Sequence, residues 1–181
     1  KTDTMPQGVY VKTADVVGKY ASSTLYAGDI LTKAKLSGDS NNADDVLATL
    51  NGSKVAVSVT IDTFAAGLSG KLQNGDIISL IVVDKNAGTS AIPGELKYMK
   101  VITTTTAGGI DQDSVVKNED GSFEIPSTIT VLCNTEQAKL LAKYEADITL
   151  QAALVYRGDN ETANKFLEKQ DAFFAGGGAN E

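Results

Sequence analysis

The chain has 181 residues, of which 42% are hydrophobic and 22% are charged, close to the average for globular proteins. It contains 16 basic and 23 acidic residues, and the net charge of −7 argues against binding to nucleic acid or anionic lipid. Histidine is absent and Cys133 is the only cysteine, so internal disulfides, cysteine-based zinc sites and the commonest general base are excluded. Without histidine and with a single cysteine, catalysis by carboxylates alone or by a serine-lysine pair remains possible. We therefore expect no enzyme activity, no catalytic residues, no bound metal and no cofactor.

Short elements are predicted near the N-terminus. Residues 9–11 have the pattern of a short strand, and one helical turn is predicted to begin at Thr13 and to end at Gly18. Residues 24–36 are predicted to form strand, turn and strand. The turn lies at Ala27-Gly28-Asp29, where glycine adopts a positive φ without cost.

A polar stretch, SGDSNNA at residues 37–43, marks the best internal boundary. Asp44-Asp45 follow it and favour a helix start, because carboxylates interact well with a helix N-terminus. Beyond it, Val55, Val57, Val59 and Ile61 alternate with small or polar residues, which predicts a half-buried strand.

Further strands and two helices complete the pattern. Residues 77–83 are apolar on both faces and are predicted to lie in the middle of a sheet. A capping box at Asn134–Gln137 opens a predicted helix to about Glu145. Additional strands are predicted at residues 96–105, 128–133 and 147–156, and a tail helix from residue 160 to Gly176. The fold class is mainly β with a few short helices (α+β).

One N-terminal segment resembles a known domain. Residues 9–36, VYVKTADVVGKYASSTLYAGDILTKAKL, resemble the SAF domain, with a turn closing in Val17-Gly18-Lys19 and a strand pair around Leu25–Leu31. The resemblance implies a small β-clip fold for residues 8–36, packed on a second β-rich subdomain.

The following region resembles one SAF-containing family, the CpaB (RcpC) proteins of Flp/Tad pilus assembly. Val55–Val59 leads into a glycine-rich turn and the Asn74-Gly75-Asp76 corner, where that family often has proline-glycine-aspartate. VLCNTEQAKLLA at residues 131–142 resembles a later strand followed by its helix start. The division that follows is a SAF-like segment at residues 8–36, a polar linker with a short helix at 37–53, a CpaB-like region at 54–156 and a tail at 157–181.

The resemblance implies a non-enzymatic assembly protein that acts by docking to other pilus assembly or secretion proteins. It also implies placement outside the cytoplasm, with an anchoring helix upstream of Lys1. The alternative is a carbohydrate- or cell-wall-binding module, since SAF-type folds can contact sugars. No tryptophan is present, so the residues available to stack on a sugar ring are the tyrosines, namely Tyr10, Tyr20, Tyr26, Tyr98, Tyr144 and Tyr156.

Three aromatic residues are the candidate docking residues: Tyr26 at the SAF-like turn, and Phe173 and Phe174 before the triglycine. The sequence leaves open whether the two phenylalanines cover the sheet or meet a partner.

Other conspicuous residues have ordinary structural explanations. Cys133 is expected to be a buried thiol, Asn74-Gly75-Asp76 a turn, and Arg157-Gly158-Asp159 a strand exit. Asp111 and Asp113 are expected to belong to a solvated acidic loop.

Overall fold

A computed structural model describes residues 6–21, 24–38, 40–111 and 125–176. Most of the predicted acidic loop, including Asp113, lies outside the described residues. The strands are β1 (Tyr20–Ala21), β2 (Leu36–Ser37), β3 (Val55–Thr60), β4 (Ile77–Asp84), β5 (Thr89–Ala91), β6 (Met99–Thr106), β7 (Pro126–Cys133) and β8 (Thr149–Tyr156). The α-helices are α1 (Ala43–Ala48), α2 (Thr135–Asp147) and α3 (Asn160–Ala175).

Six of the strands form one antiparallel sheet in the order β3-β7-β6-β4-β5, with β8 on the other edge of β4. The predicted mainly-β fold with short helices is therefore confirmed. The position of β4 is confirmed as well. It pairs with β8 along most of its length, and with β6 and β5 at its two ends on the opposite edge. Ile77, Ile78 and Leu80 are fully buried, as expected for a strand that is apolar on both faces.

Helix α2 packs against β3 and β8 and covers part of the core. It begins with the predicted capping box, in which Gln137 N–H donates to Asn134 at 2.8 Å and Asn134 N–H donates to Gln137 at 2.9 Å. Leu141 on its inner face is fully buried. At its C-terminal end, the Glu145 carboxylate accepts the outward N–H of Thr60 at 3.1 Å. This bond pairs a backbone donor on the open edge of β3.

The N-terminal module, residues 8–36, departs from the predicted strands. Val9 forms an isolated bridge to Thr32, so residues 9–11 are not a strand. A 3-10 turn at Thr13–Asp15 replaces the predicted helical turn, and Lys12 occupies its N-cap. The turn at residues 27–28 is present, but its flanks are irregular. Among the described residues of this segment, the only strand pair is β1 with β2, two residues each.

The strands predicted in the module failed because they bury almost nothing. Leu36 is the only buried side chain among the described residues of the module. An alternating pattern stabilises a strand only where one face packs against a core.

The predicted helix start at Asp44-Asp45 is confirmed, because Asn42 caps α1 by accepting from the N–H groups of both aspartates at 3.0 and 3.3 Å.

Candidate docking surfaces

The N-terminal module exposes large apolar side chains. Val11 is 76% exposed, Val17 75% and Tyr26 74%, and Tyr20 and Ile30 are also exposed. Side chains of this size are ordinarily exposed singly in soluble proteins, and several on one short segment indicate an interaction surface. We name these five residues the module surface.

Tyr26 is held at the start of a tight turn. Asp29 N–H donates to the Tyr26 carbonyl at 3.0 Å, and Tyr26 N–H donates to the Asp29 carboxylate at 3.2 Å. Gly28 has φ +94, which this turn requires and which other residues rarely adopt. The Tyr26 bond and the Lys35 ammonium, 3.1 Å away, lower the pKa of Asp29. The turn therefore presents the tyrosine ring on a locally fixed backbone.

Phe173 and Phe174 lie in the last turn of α3, and both are half-buried. Their rings meet edge to face at 5.5 Å. The Phe173 ring packs against Gly94, where an added Cβ would lie only 2.7 Å from it. Phe173 thus contributes to the packing of α3. The candidate residues fall on two separate elements, with Tyr26 in the module and the phenylalanines on α3.

Two buried glutamines fasten the segment at residues 93–98. The Gln170 side chain accepts the Tyr98 N–H at 2.8 Å and donates to the Gly94 carbonyl at 2.9 Å. From α2, the Gln137 amide donates to the Glu95 carbonyl at 2.7 Å. The helical pattern placed Gln170 on the packing face of α3 and Gln137 in the capping box, but it did not predict their contacts with this segment.

The ion pair between Arg157 and Asp76 was missed by the sequence analysis. Arg157 donates through Nε to Asp76 Oδ1 at 2.7 Å and through one terminal nitrogen to Oδ2 at 2.6 Å. The same nitrogen also donates to the Lys71 carbonyl at 2.6 Å. Asp76 is 1% exposed, and its hydrogen bonds to Arg157 raise the pKa of the guanidinium. The pair joins the end of β8 to the corner before β4.

Asp159, two residues after Arg157, is also held by internal hydrogen bonds. Its carboxylate accepts from the Tyr156 hydroxyl at 2.7 Å and caps α3 by accepting the Thr162 N–H at 2.7 Å. These bonds lower the pKa of Asp159, with the Thr162 N–H as the largest cause. Arg157-Gly158-Asp159 therefore serves as the predicted strand exit, with both charged side chains occupied by internal bonds.

Cys133 is buried at 1% exposure, as predicted. Burial raises the pKa of its thiol from 9.0 to about 11, so the thiol stays protonated well above neutral pH. The stability that this protonated thiol provides is complete below about pH 9 and is lost as the pH rises toward 11.

We expect the free energy of unfolding to fall with pH in this range, more steeply than in Cys133→Ser, whose hydroxyl does not titrate. Denaturant titrations at stepwise pH measure it, and parallel pH profiles of the two proteins would contradict it.

An open polar cleft of about 570 Å³ lies beside β1 of the module. Its lining is Tyr20, Ala21, Ser40, Asn41, Asn42, Asp44, Asp45 and Asn74. Among the described residues, no three acidic or cysteine side chains come together in a way that could hold a metal ion. Within the same residues, no helix has the length and apolar character to cross a bilayer.

These features define a β-rich protein whose N-terminal module exposes several large apolar side chains. The family described as Flp pilus assembly protein RcpC/CpaB matches residues 44–155, more than half of the chain. The chain therefore belongs to the RcpC/CpaB family of Flp pilus assembly proteins. The match runs from α1 to β8 and begins after the N-terminal module. Searches of curated proteins and of solved structures find no match to the chain.

Proposed function

We propose that this chain is a non-enzymatic assembly protein of a Flp/Tad-type pilus, that it acts outside the cytoplasm, and that it works by docking to other assembly proteins. The family match over residues 44–155 is the observation that carries the proposal. The exposed module surface supports docking as the mechanism, because apolar and aromatic anchors dominate the energy of protein interfaces.

The proposed organisation keeps the SAF-like β-clip at residues 8–36 and the linker at 37–53. The β-rich region spans 54–156, and the tail spans 157–181. The module supplies Tyr26 as a docking residue, and α3 supplies Phe174 together with the accessible part of Phe173. Tyr26 is largely exposed, so its replacement would disturb little packing, whereas Phe173 serves both packing and docking in this proposal.

Tyr26→Ala is expected to change the free energy of unfolding by less than about 0.5 kcal/mol, because an exposed side chain contributes little to the fold. We expect it to weaken docking about 30-fold, as for a central aromatic anchor worth about 2 kcal/mol. Pilus counts in cells that express the full-length gene, and thermal melts of the purified chain, are the measurements. Phe64→Ala, another exposed aromatic substitution, is the matched control and should leave assembly intact.

Phe173→Ala and Phe174→Ala separate packing from docking on α3. Phe173→Ala should lower the melting temperature because its ring packs on Gly94. Phe174→Ala should affect assembly more than stability. If Phe174→Ala melts as early as Phe173→Ala and Tyr26→Ala assembles pili normally, docking through these aromatics is refuted.

Placement outside the cytoplasm, with an anchoring helix upstream of Lys1, follows the plan of the resembled family. A fusion of the full-length gene to alkaline phosphatase, which is active only outside the cytoplasm, tests it. Active fusions are expected, and inactive but stable fusions would contradict the placement.

The carbohydrate-binding alternative has one observation in its favour, the polar cleft beside Tyr20. Asparagine and aspartate side chains with one aromatic ring can hydrogen-bond and stack on a sugar. Titration with the cell-wall disaccharide distinguishes the two functions. Binding that Tyr20→Ala abolishes, together with normal pilus assembly by Tyr26→Ala, would favour the alternative.

A further inference from the structure

The N-terminal module and the rest of the chain have net charges of opposite sign. Residues 8–36 contain four lysines and two aspartates, for a net charge of +2. Since the whole chain has a net charge of −7, the remaining residues have −9. The charged residues of the module are Lys12, Asp15, Lys19, Asp29, Lys33 and Lys35. Asp29 is paired with Lys35. The module therefore combines exposed apolar side chains with an excess of basic residues.

The module adjoins the N-terminal end of β4. Tyr20 and Ala21 line the cleft together with Asn74, three residues before that strand. Asn41, which follows the module, packs its side-chain amide against Gly75. The β1 strand of the module thus lies near the start of the central strand.

Acidic residues lie at the other end of β4, where we define the acidic end as Asp62, Asp84, Glu145 and Asp147. Asp84 is the last residue of β4, and the preceding Val83 pairs with Thr149 of β8. Asp62 accepts from the Thr149 hydroxyl at 3.0 Å and lies 3.9 Å from Lys85. Glu145 bonds to Thr60, two residues before Asp62.

Helix α2 adds to the negative potential of the acidic end. It terminates at Asp147, and its last turn contains no basic residue. The carbonyl groups at a helix C-terminus carry partial negative charge, equivalent to roughly half an elementary charge. The Glu145 and Asp147 carboxylates therefore add to the negative potential at this helix end. The nearby Lys85 and Lys143 offset part of that charge.

We propose that the N-terminal module of one copy docks on the acidic end of a second copy. Lys12 and Lys19 would meet the carboxylates, while Val11 and Val17 lose their exposure to water. A membrane is the less suitable occupant, since the −9 charge of the remaining chain is repelled by anionic lipid. This inference concerns contacts between copies and holds whichever assembly protein the chain also meets.

The two surfaces lie at opposite ends of an eight-residue strand, which extends roughly 25 Å at about 3.3 Å per residue. A contact between two different surfaces is heterologous, so each added copy leaves one surface of each kind free. Such contacts build a ring if the rotation closes and a filament if it does not.

Sedimentation velocity of the 181-residue chain tests the proposal. At about 20 mM salt, where the Debye length is roughly 20 Å, we expect the average sedimentation coefficient to rise with protein concentration. At about 500 mM salt we expect the dissociation constant to increase at least about tenfold, because screening weakens contacts between exposed charges.

Charge reversals locate the contact. Lys12→Glu with Lys19→Glu should abolish association, and so should Asp147→Lys at the acidic end. A mixture of these two proteins should associate again, because each reversed surface then meets one of opposite charge. Lys165→Glu with Lys169→Glu on α3 changes the net charge as much as the module variant and should leave association intact.

Three results would overturn the proposal. One is a chain that stays monomeric at all concentrations in low salt. The second is association that persists in both reversal variants. The third is a chain that stays monomeric and binds vesicles containing phosphatidylglycerol, while its Lys12→Glu/Lys19→Glu variant does not bind them. That result would make the module a membrane-binding surface.

Discussion

Replacing Arg157 with alanine is expected to lower the free energy of unfolding by about 3 kcal/mol, because a buried carboxylate then loses its charged partner. Asp76 is 1% exposed, and Arg157 supplies bonds to both of its oxygens. The guanidinium side chain is 39% exposed, so the effect should fall at the lower end for buried ion pairs. For a domain of this size the melting temperature should drop by about 6–12 °C.

Denaturant titration and calorimetry of purified Arg157→Ala measure this loss. Lys139→Ala is the matched control, because its ion pair with Glu136 is exposed and should be worth less than about 0.5 kcal/mol. Arg157→Lys should recover only part of the stability, since an ammonium cannot make the two-pronged contact. A variant Arg157→Ala as stable as the Lys139→Ala control would show that Asp76 does not depend on this pair.

Replacing Gln170 with alanine is expected to cost about 3 kcal/mol of unfolding free energy, because two partly buried backbone groups lose their partners. The groups are the Tyr98 N–H and the Gly94 carbonyl, and Gln170 itself is 3% exposed. Loss of side-chain volume in the same place adds a cavity. Of the two glutamines, only Gln137 would then still bond to the segment at residues 93–98.

Gln170→Glu provides a sharper comparison, because a carboxylate can still accept from Tyr98 but cannot donate to Gly94. It also introduces a buried charge, so it should be no more stable than Gln170→Ala at pH 7. Hydrogen exchange of the Tyr98 amide gives a local measurement, and it should accelerate most in Gln170→Ala, which removes the acceptor of that N–H. Unchanged exchange at Tyr98, with a loss below about 0.5 kcal/mol, would contradict the role of Gln170.

The sequence predicted the elements whose pattern reflects their own burial. β4 was placed in the middle of the sheet because it is apolar on both faces, and α2 was located by its capping box. The strands predicted at residues 9–11 and 24–36 are absent because the described residues of the module bury only one side chain, Leu36. Alternation in sequence does not show whether a second layer is present to bury one face.

The bonds that fasten the fold could not be predicted, because they join residues far apart in the chain. Arg157 and Asp76 are 81 positions apart, and Gln170 and Gly94 are 76 apart. Two hints were nevertheless present. Arg157 is the only arginine and directly follows a strand, and Gln170 lies on the apolar face of a helix. A polar residue on such a face must find a partner when it is buried.

We propose that the exposed surface of the N-terminal module docks the protein during pilus assembly. The most direct measurement is the pilus count of cells whose full-length gene carries Val11→Ser, Val17→Ser and Tyr26→Ser together. A second strain carries Phe64→Ser, Ile92→Ser and Ile110→Ser, which replace exposed apolar residues of the body. With both proteins folded and equally abundant, we predict that the module variant loses pili and the body variant keeps them. Normal pili in the module variant, or an equal loss in both strains, would contradict the claim.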